Sequence, residues 1–156
     1  MRWICLLAGL FLLTLQSAQA GHSPPKIFLR IYIQTSGQGL PETQAREIAL
    51  PPNGETILIR AFPEITEQEL VDVQEDASGA VHLHFNHEGQ VNLNAITSQN
   101  QGRIMVVMLN GIIIYAPVMD EELPNGELVL PHPLAPQVLQ LLQETAQKNV
   151  KQHAHT

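Results

Sequence analysis

The chain of 156 residues has a formal net charge of −7, and its eight lysines and arginines form no cluster. This composition lacks the basic surface with which proteins bind the phosphate backbone, so nucleic acid is not an expected partner. The only cysteine, Cys5, lies in an apolar N-terminal run. The rest of the chain therefore cannot form a disulfide framework, a thiolate metal site or a cysteine nucleophile.

Residues 1–20 have the organisation of a secretory signal peptide. Arg2 precedes the apolar run 4–15, and the sequence SAQA at 17–20 provides an A-x-A cleavage pattern before Gly21. The apolar run is shorter than the ~20 residues that a membrane-spanning helix needs, although a retained membrane anchor is the alternative interpretation. We therefore expect a periplasmic or secreted protein with no stable membrane insertion after cleavage.

Residues 21–69 are expected to form a leader and a meander of three strands. The strands are rich in β-branched and aromatic residues, and clusters of proline and glycine separate them. Antiparallel neighbours need only short connections, which favours pairing between consecutive strands. The connection after the third strand contains Thr66, a candidate cap for a single helical turn. The three predicted strands cover residues 26–34, 46–50 and 55–62.

Residues 70–149 are expected to form a second module of strands and helices. Asn110-Gly111 separates two apolar runs and predicts a tight hairpin, because both central positions of a type I′ turn need positive φ. The unbroken apolar run 104–109 predicts a strand that is covered on both faces or central in its sheet. Gly102 is expected to end the helix that precedes this strand. Further strands are predicted over 70–74, 80–85 and 127–130.

Two amphipathic helices, over 88–98 and 136–148, are expected to cover these strands. Helices that bury one face against antiparallel strands are typical of the α+β class. We therefore predict a two-layer sandwich, a mostly antiparallel sheet with both helices packed on one face. Residues 150–156 are predicted to be a disordered tail. The predicted buried residues are Val91, Ala95 and Ile96 in the first helix, and Val138, Leu141, Leu142 and Ala146 in the second.

A series of spaced motifs extends from Phe85 to Met119. It consists of an F-N-x-E-G helix start, a threonine, a Gly-Arg pair that opens an apolar strand, an Asn-Gly turn and a final Ala-Pro-Val. In this order and spacing the stretch resembles the first periplasmic (P1) head of SecD, a subunit of the bacterial protein-export accessory complex. The matching residues are Phe85, Asn86, Glu88, Gly89, Thr97, Gly102, Arg103, Asn110, Gly111, Ala116, Pro117 and Val118.

The resemblance covers roughly residues 70–148. It implies an α+β head module, and it implies polypeptide or translocase components as partners. It identifies a fold and not a reaction, so it assigns no catalytic residue and no cofactor.

Two histidines of one predicted strand, His82 and His84, alternate with apolar residues and therefore leave the same face. They would form a zinc or copper site if a third ligand such as His87 converged on them. The favoured interpretation is a polar outer face, so no metal site is predicted. His153 and His155 lie in the tail, where only adventitious metal capture is expected.

The remaining candidates for chemistry are carboxylates and serines. General acid–base catalysis needs two carboxyl groups with different pKa values in a cleft, and solvated loop carboxylates are the favoured interpretation. The serines lack a nucleophile-elbow pattern, and no phosphate-binding glycine pattern is present. We therefore predict no enzyme activity. The residues considered are Glu64, Glu67, Glu69, Asp120, Glu121, Glu122, Ser78 and Ser98.

Three methionines suggest a groove for apolar peptides, because their side chains adapt to many shapes. Core packing is the favoured interpretation for Met105 and Met108. Met119, which follows Pro117 and precedes an acidic triplet, is expected to be exposed.

Three functions remain open from the sequence. The first is a non-catalytic exported binding module that contacts translocated or unfolded polypeptide, for which strand addition to a sheet edge is a suitable mode. The second is a self-associating structural component of the cell envelope. The third and least favoured is a hydrolase with an unrecognised site.

Overall fold

The computed structural model describes residues 26–36 and 44–153, and the predicted signal peptide lies outside them. The α+β class and the mostly antiparallel pairing are confirmed. Neither helix of the described residues is long and apolar enough to cross a bilayer. The strands are β1 (Leu29–Ile33), β2 (Ala45–Leu50), β3 (Glu55–Arg60), β4 (Ile65–Thr66), β5 (Leu70–Glu75), β6 (Val81–Phe85), β7 (Met105–Leu109), β8 (Ile112–Tyr115) and β9 (Glu127–Leu130), and the helices are α1 (His87–Gln99) and α2 (Pro136–His153).

The strands form three sheets, ordered β4-β1-β7-β8, β2-β3 and β5-β6-β9. The predicted meander is therefore wrong for β1, which pairs with β4 and β7, while β2 and β3 do form a hairpin. Among the described residues, an isolated bridge between Gln34 and Ile59 joins the end of β1 to β3. Four of the five residues of β1 are buried. A strand between two others can be buried to this extent, whereas a strand at the end of a small meander would be more exposed.

Buried side chains cover both faces of the first sheet. On one face, Leu29 and Val107 pack with residues of α1, α2 and the third sheet. On the other face, Tyr32 and Val106 pack against the β2–β3 hairpin, with Ile59. All five residues of β7 are buried, which confirms the prediction of a strand covered on both faces. The hairpin supplies the second cover, so both helices are free to pack on the opposite side.

The start of α1 explains the F-N-x-E-G motif. Asn86 is the N-cap, and its Oδ1 accepts a hydrogen bond of 2.9 Å from the backbone N–H of Gly89. A Cβ atom on Gly89 would lie 2.7 Å from Cβ of Phe85 and 2.8 Å from Cβ of Glu69. The glycine therefore permits a close approach between the first turn of the helix and its neighbours.

This close approach also determines which face of α1 is buried. Gly89, Leu93, Ile96 and Thr97 point into the core, at helical spacing from the contact. The prediction for Ile96 is confirmed, whereas that for Val91 is wrong, because Val91 is 52% exposed. Two residues after Gly89, at about 100° per residue, Val91 lies on the opposite side of the helix.

Helix α2 packs along β5 with the predicted stripe. Leu142 and Ala146 are buried, and Val138 and Leu141 pack against the same core. The helix continues to His153, beyond the predicted end, so residues 150–153 of the predicted tail belong to it. Residues 154–156 lie outside the described residues.

The local turn predictions are confirmed. Asn110 and Gly111 have φ angles of 50° and 83°, and they join β7 to β8 as a two-residue turn. Gly102 has a φ of 79° just after the end of α1. Thr66 caps a single 3-10 turn, Glu67–Glu69, in a capping box.

Candidate functional site

A groove lies between β8 and β9, which are edge strands of the first and third sheets. Tyr115 and Leu128 line a cavity of about 330 Å³, and Ile114 and Leu130 line a second cavity of about 200 Å³. The two cavities lie at consecutive positions of both strands, because Ile114 precedes Tyr115 and Leu130 follows Val129. We refer to this feature as the β8–β9 groove.

The backbone of β9 has hydrogen-bonding groups that point away from its sheet. The N–H of Phe85 donates to the carbonyl of Gly126 at 2.9 Å, just before the paired residues of β6 and β9 begin. Hydrogen-bonded pairs alternate along an antiparallel ladder, so the bonded pairs within β9 involve Leu128 and Leu130. The N–H and C=O groups of Glu127 and Val129 therefore point outward, toward the groove.

The edge of β8, across the groove, is irregular. Tyr115 lies opposite Val107 while Ile113 lies opposite Met108, so Ile114 is an extra residue that forms a bulge. Pro117, which follows the strand, has no N–H to donate. Bulges and prolines protect edge strands from pairing with further chains, so β8 is the less suitable of the two edges.

The outer edge of β5, the other end of the third sheet, is occupied by α2. Nε2 of Gln143 donates to the carbonyl of Val73 at 3.2 Å, and Nδ2 of Asn149 donates to the carbonyl of Leu70 at 2.8 Å. In the third sheet, β9 is therefore the strand whose edge faces a groove.

Apolar side chains form the floor of the β8–β9 groove, and carboxylates form its rim. The floor includes Met105, Tyr115, Met119 and Leu128. The rim consists of the exposed Asp120, Glu121 and Glu122, which we call the acidic rim. Their predicted solvation is confirmed.

Met119 is buried, so the prediction that it is exposed is wrong. Its side chain is 3% exposed. The N–H of Met119 donates to the carbonyl of Arg103 at 2.8 Å, and its carbonyl accepts from the N–H of Gly102 at 2.7 Å. These bonds continue the pairing of β8 past Pro117 and turn the side chain inward. The predicted burial of Met105 and Met108 is confirmed.

His82 lies between two carboxylates at the side of the groove. Its Nδ1 is 2.5 Å from Oε1 of Glu127, and its Nε2 is 3.3 Å from Oδ2 of Asp76. The contact with Glu127, and after it the contact with Asp76, raises the pKa of His82 above its ordinary value. The Ser78 hydroxyl, and after it His82, lowers the pKa of Asp76. Glu127, which also lines the groove, is thus held by a histidine that readily carries a proton.

The other histidines remain apart from this cluster. His84 shares the outer face of β6 with His82, while Val81, Leu83 and Phe85 are buried, which confirms the polar-face interpretation. His87 is the exposed first residue of α1. Within the described residues, no group of three or more His, Cys, Asp or Glu side chains is arranged to hold a metal ion. The His153 side chain and His155 lie outside that description.

The three glutamates of residues 64–69 have structural partners. Glu64 pairs with Arg60 at 2.5 Å, and Glu67 lies 3.6 Å from Arg30. Oε2 of Glu69 accepts from the N–H and the hydroxyl of Thr66 at 2.9 and 2.7 Å. The prediction that these carboxylates are solvated is therefore wrong, because all three residues are half-buried. They form ion pairs and a helix cap, and not an acid–base pair.

The two serines also have local hydrogen bonds. The Ser78 hydroxyl donates to Oδ1 of Asp76 at 2.6 Å, and the Ser98 hydroxyl donates to the carbonyl of Ala95 at 3.2 Å. The first bond lies in the turn between β5 and β6, and the second lies within α1.

Comparison with known proteins identifies the family. A sequence model of the SecDF P1 head subdomain matches residues 42–131, more than half of the chain. No curated protein matches the sequence. A solved structure of SecDF, a membrane component that enhances protein export, is 19% identical, with a TM-score of 0.55 over 78% of this chain and 62% of that chain. Another, of SecDF in a super-membrane-facing form, is also 19% identical, with a TM-score of 0.55 over 77% of this chain and 18% of that chain.

The chain thus spans less than two thirds of the length of either SecDF structure. At 19% identity, the likeness of this chain to the two SecDF structures concerns the fold alone. This fold agrees with the family that the sequence model identifies. The chain belongs to the SecDF P1 head subdomain family.

Proposed function

We propose that this protein is a non-catalytic exported module that binds an extended segment of polypeptide along the edge of β9. The observation that carries the proposal is the pair of outward-facing backbone groups at Glu127 and Val129, next to a groove with an apolar floor. An added strand forms main-chain hydrogen bonds whatever its sequence, and the floor accepts alternate side chains. This mode suits a partner without a fixed sequence.

The family supports a polypeptide as the ligand. SecDF, to which the chain is similar, enhances protein export, so translocated or unfolded chains are the partners we propose, with translocase components as the next candidates. The predicted signal peptide supports a periplasmic or secreted location. The three glutamates of residues 64–69, once candidates for catalysis, have structural partners, which is consistent with a non-catalytic role.

The size of the site limits its affinity. Strand β9 has four residues, so it pairs with a segment about 13 Å long. So small a contact falls well below the area of a stable protein–protein interface. We therefore expect a dissociation constant of about 10 μM to 1 mM, weak enough for a passing chain to be released.

The first prediction concerns Val129→Pro. Proline removes the outward N–H of residue 129, while the ladder to β6 uses the N–H groups of Leu128 and Leu130. We expect the neutral peptide GSVSLSVSG, with blocked ends, to bind the unchanged protein and to lose most of its affinity for the variant. Fluorescence anisotropy of the labelled peptide measures the affinity, and backbone NMR shifts at residues 127 and 129 locate the contact.

Val129→Thr is the matched control, because threonine keeps the N–H, the β-branched shape and the exposed position. It should bind the peptide like the unchanged protein. Equal affinity of the unchanged and proline proteins would contradict the proposed site, provided that circular dichroism shows both to be folded.

A self-associating structural component is the second candidate. The same edge of β9 can pair with the edge of another copy across a twofold axis, and the side chain of Val129 is 39% exposed beside it. Light scattering over a range of protein concentrations separates the two functions. A stable oligomer with no affinity for the peptide would favour this candidate over the first.

A further inference from the structure

We infer that the β8–β9 groove selects extended segments that carry positive charge beside apolar residues. This inference rests on the proposed function, because it specifies which polypeptides the groove binds. It concerns side-chain charge, whereas the edge of β9 accounts for binding that is independent of sequence.

The charged side chains that line the larger cavity of the groove are all acidic. The side chains that line the larger cavity include four carboxylates, those of the acidic rim and of Glu127, and no lysine, arginine or histidine. Glu127 is paired with His82, which offsets its charge when the imidazole is protonated. Among the described residues, none of the three rim carboxylates forms a salt bridge. The rim therefore presents an uncompensated negative potential to a ligand.

The position of the rim matches one end of a bound strand. The rim precedes β9 by a short turn, and both contribute to the wall of the same cavity. The apolar floor accepts the inward side chains of an added strand, whose outward neighbours alternate with them. A lysine at the end of the segment has a long stem that lies along apolar surface while its ammonium group reaches the rim.

Three of the cations among the described residues lie on another surface. Lys26, Arg30 and Arg46 line a separate cavity on the hairpin side of the first sheet. The guanidinium of Arg46 lies 4.5 Å from the ring centroid of Tyr32, and that of Arg30 lies 5.8 Å from that of Phe28. A positively charged segment is therefore attracted to the groove and not to this surface. The overall charge of −7 acts in the same direction.

The test compares three peptides that share one apolar core: neutral GSVSLSVSG, basic GKVSLSVKG and acidic GEVSLSVEG, all with blocked ends. At about 20 mM salt, where screening is weak, we expect the basic peptide to bind about three- to fivefold more tightly than the neutral one, because one of its two lysines reaches the rim. The acidic peptide should bind more weakly than the neutral one. At about 0.5 M salt the difference should largely disappear.

The variant D120N/E121Q/E122Q removes the charge of the rim, and it should bind the basic and neutral peptides alike. The matched control E47Q/E55Q/E75Q removes the same number of exposed carboxylates outside the groove, and it should keep the preference. If both variants lose the preference equally, net charge causes it and the inference is overturned.

Two further outcomes separate the inference from the proposed function. Equal binding of all three peptides by the unchanged protein, with loss in Val129→Pro, would overturn charge selection and leave the proposed function intact. If no peptide binds, or if Val129→Pro binds all three as the unchanged protein does, the proposed function fails and the inference fails with it.

Discussion

His82 has an environment that its sequence neighbours reveal only in part. The alternation of its strand predicts the outer face, and the polar Asp76 lies six residues away. Glu127, which makes the shorter contact, is 45 residues further along the chain. The two residues meet because β6 and β9 pair in a register that places Glu127 opposite His84, diagonal to His82. A carboxylate of the groove is therefore coupled to an imidazole, and their contact raises the pKa of that imidazole.

At the residue scale we predict that Glu127→Gln lowers the pKa of His82 toward its ordinary value of about 6.5. A raised pKa in the folded state means that the protonated imidazole stabilises the fold. This contribution is fully present below about pH 6.5, and it is lost as the pH rises through the folded-state pKa. The stability lost in Glu127→Gln should thus be larger near pH 5.5 than above the folded-state pKa.

NMR titration of the imidazole measures the pKa of His82, and urea unfolding measures the stability. Glu75→Gln, a change at an exposed carboxylate at the end of β5, is the control and should leave that pKa in place. An unchanged His82 pKa in Glu127→Gln would show that the contact with Glu127 is not its cause.

At the scale of elements, one edge of the third sheet is covered by a helix and the other is not. Helix α2 and its amides cover β5, whereas β9 faces the groove. The irregular edge of β8 across the groove makes pairing between β8 and β9 unfavourable, which keeps the groove open. The binding properties we propose therefore depend on which edges are covered, and not on the composition of any single strand.

The end of α2 provides the prediction at this scale. Nδ2 of Asn149 donates to the carbonyls of Glu67 and Leu70 at 2.7 and 2.8 Å. Asn149→Ala leaves both carbonyls without this donor, so we expect a loss of about 1–2 kcal/mol in the free energy of unfolding. Amide hydrogen exchange should also become faster in the last turns of α2.

Lys148→Ala, at an exposed position of the same helix, is the control and should change the stability by less than about 0.5 kcal/mol. Equal effects of the two substitutions would show that the amide bonds of Asn149 do not anchor the helix.

At the scale of the whole molecule, the two clusters of buried side chains share the first sheet. Val107 of β7 belongs to one cluster and Val106 to the other, so the backbone of this strand joins them. The β2–β3 hairpin packs on the sheet through Ile57 and Ile59 and is bridged to β1 at Gln34. We therefore expect the hairpin and the helical side to unfold together.

This expectation is tested by Ile59→Ala. Ile59 is fully buried, so the truncation should lower the free energy of unfolding by about 2–5 kcal/mol. The whole protein should still unfold in a single transition, shifted to lower urea concentration. Ile112→Ala, at a 69% exposed position of β8, is the control and should have a much smaller effect. An early, separate transition in Ile59→Ala would show that the hairpin unfolds independently.

Local features of the fold were predictable because their causes lie within a few residues. Asn110-Gly111, Gly102 and the Thr66 cap each depend on a φ angle or on a hydrogen bond to a near neighbour. The pairing of β1, the burial of Met119 and the exposure of Val91 depend on contacts with distant parts of the chain. Helical periodicity assigned Val91 to the core. The rotation of α1 about its axis is set instead by the close contact of Gly89 with Phe85 and Glu69, which periodicity does not take into account.

The sequence by itself determined the α+β class, the position of most strands and helices, the hairpin turn and the family, since spacing and backbone preference are properties of the chain. Only the tertiary structure decided that the β2–β3 hairpin covers the second face of the first sheet, that β9 keeps a free edge and that Glu127 contacts His82. The physical reason is that strand order and register are set by the burial of apolar faces from distant segments. The β8–β9 groove exists because this strand order places β8 and β9 at the edges of their sheets.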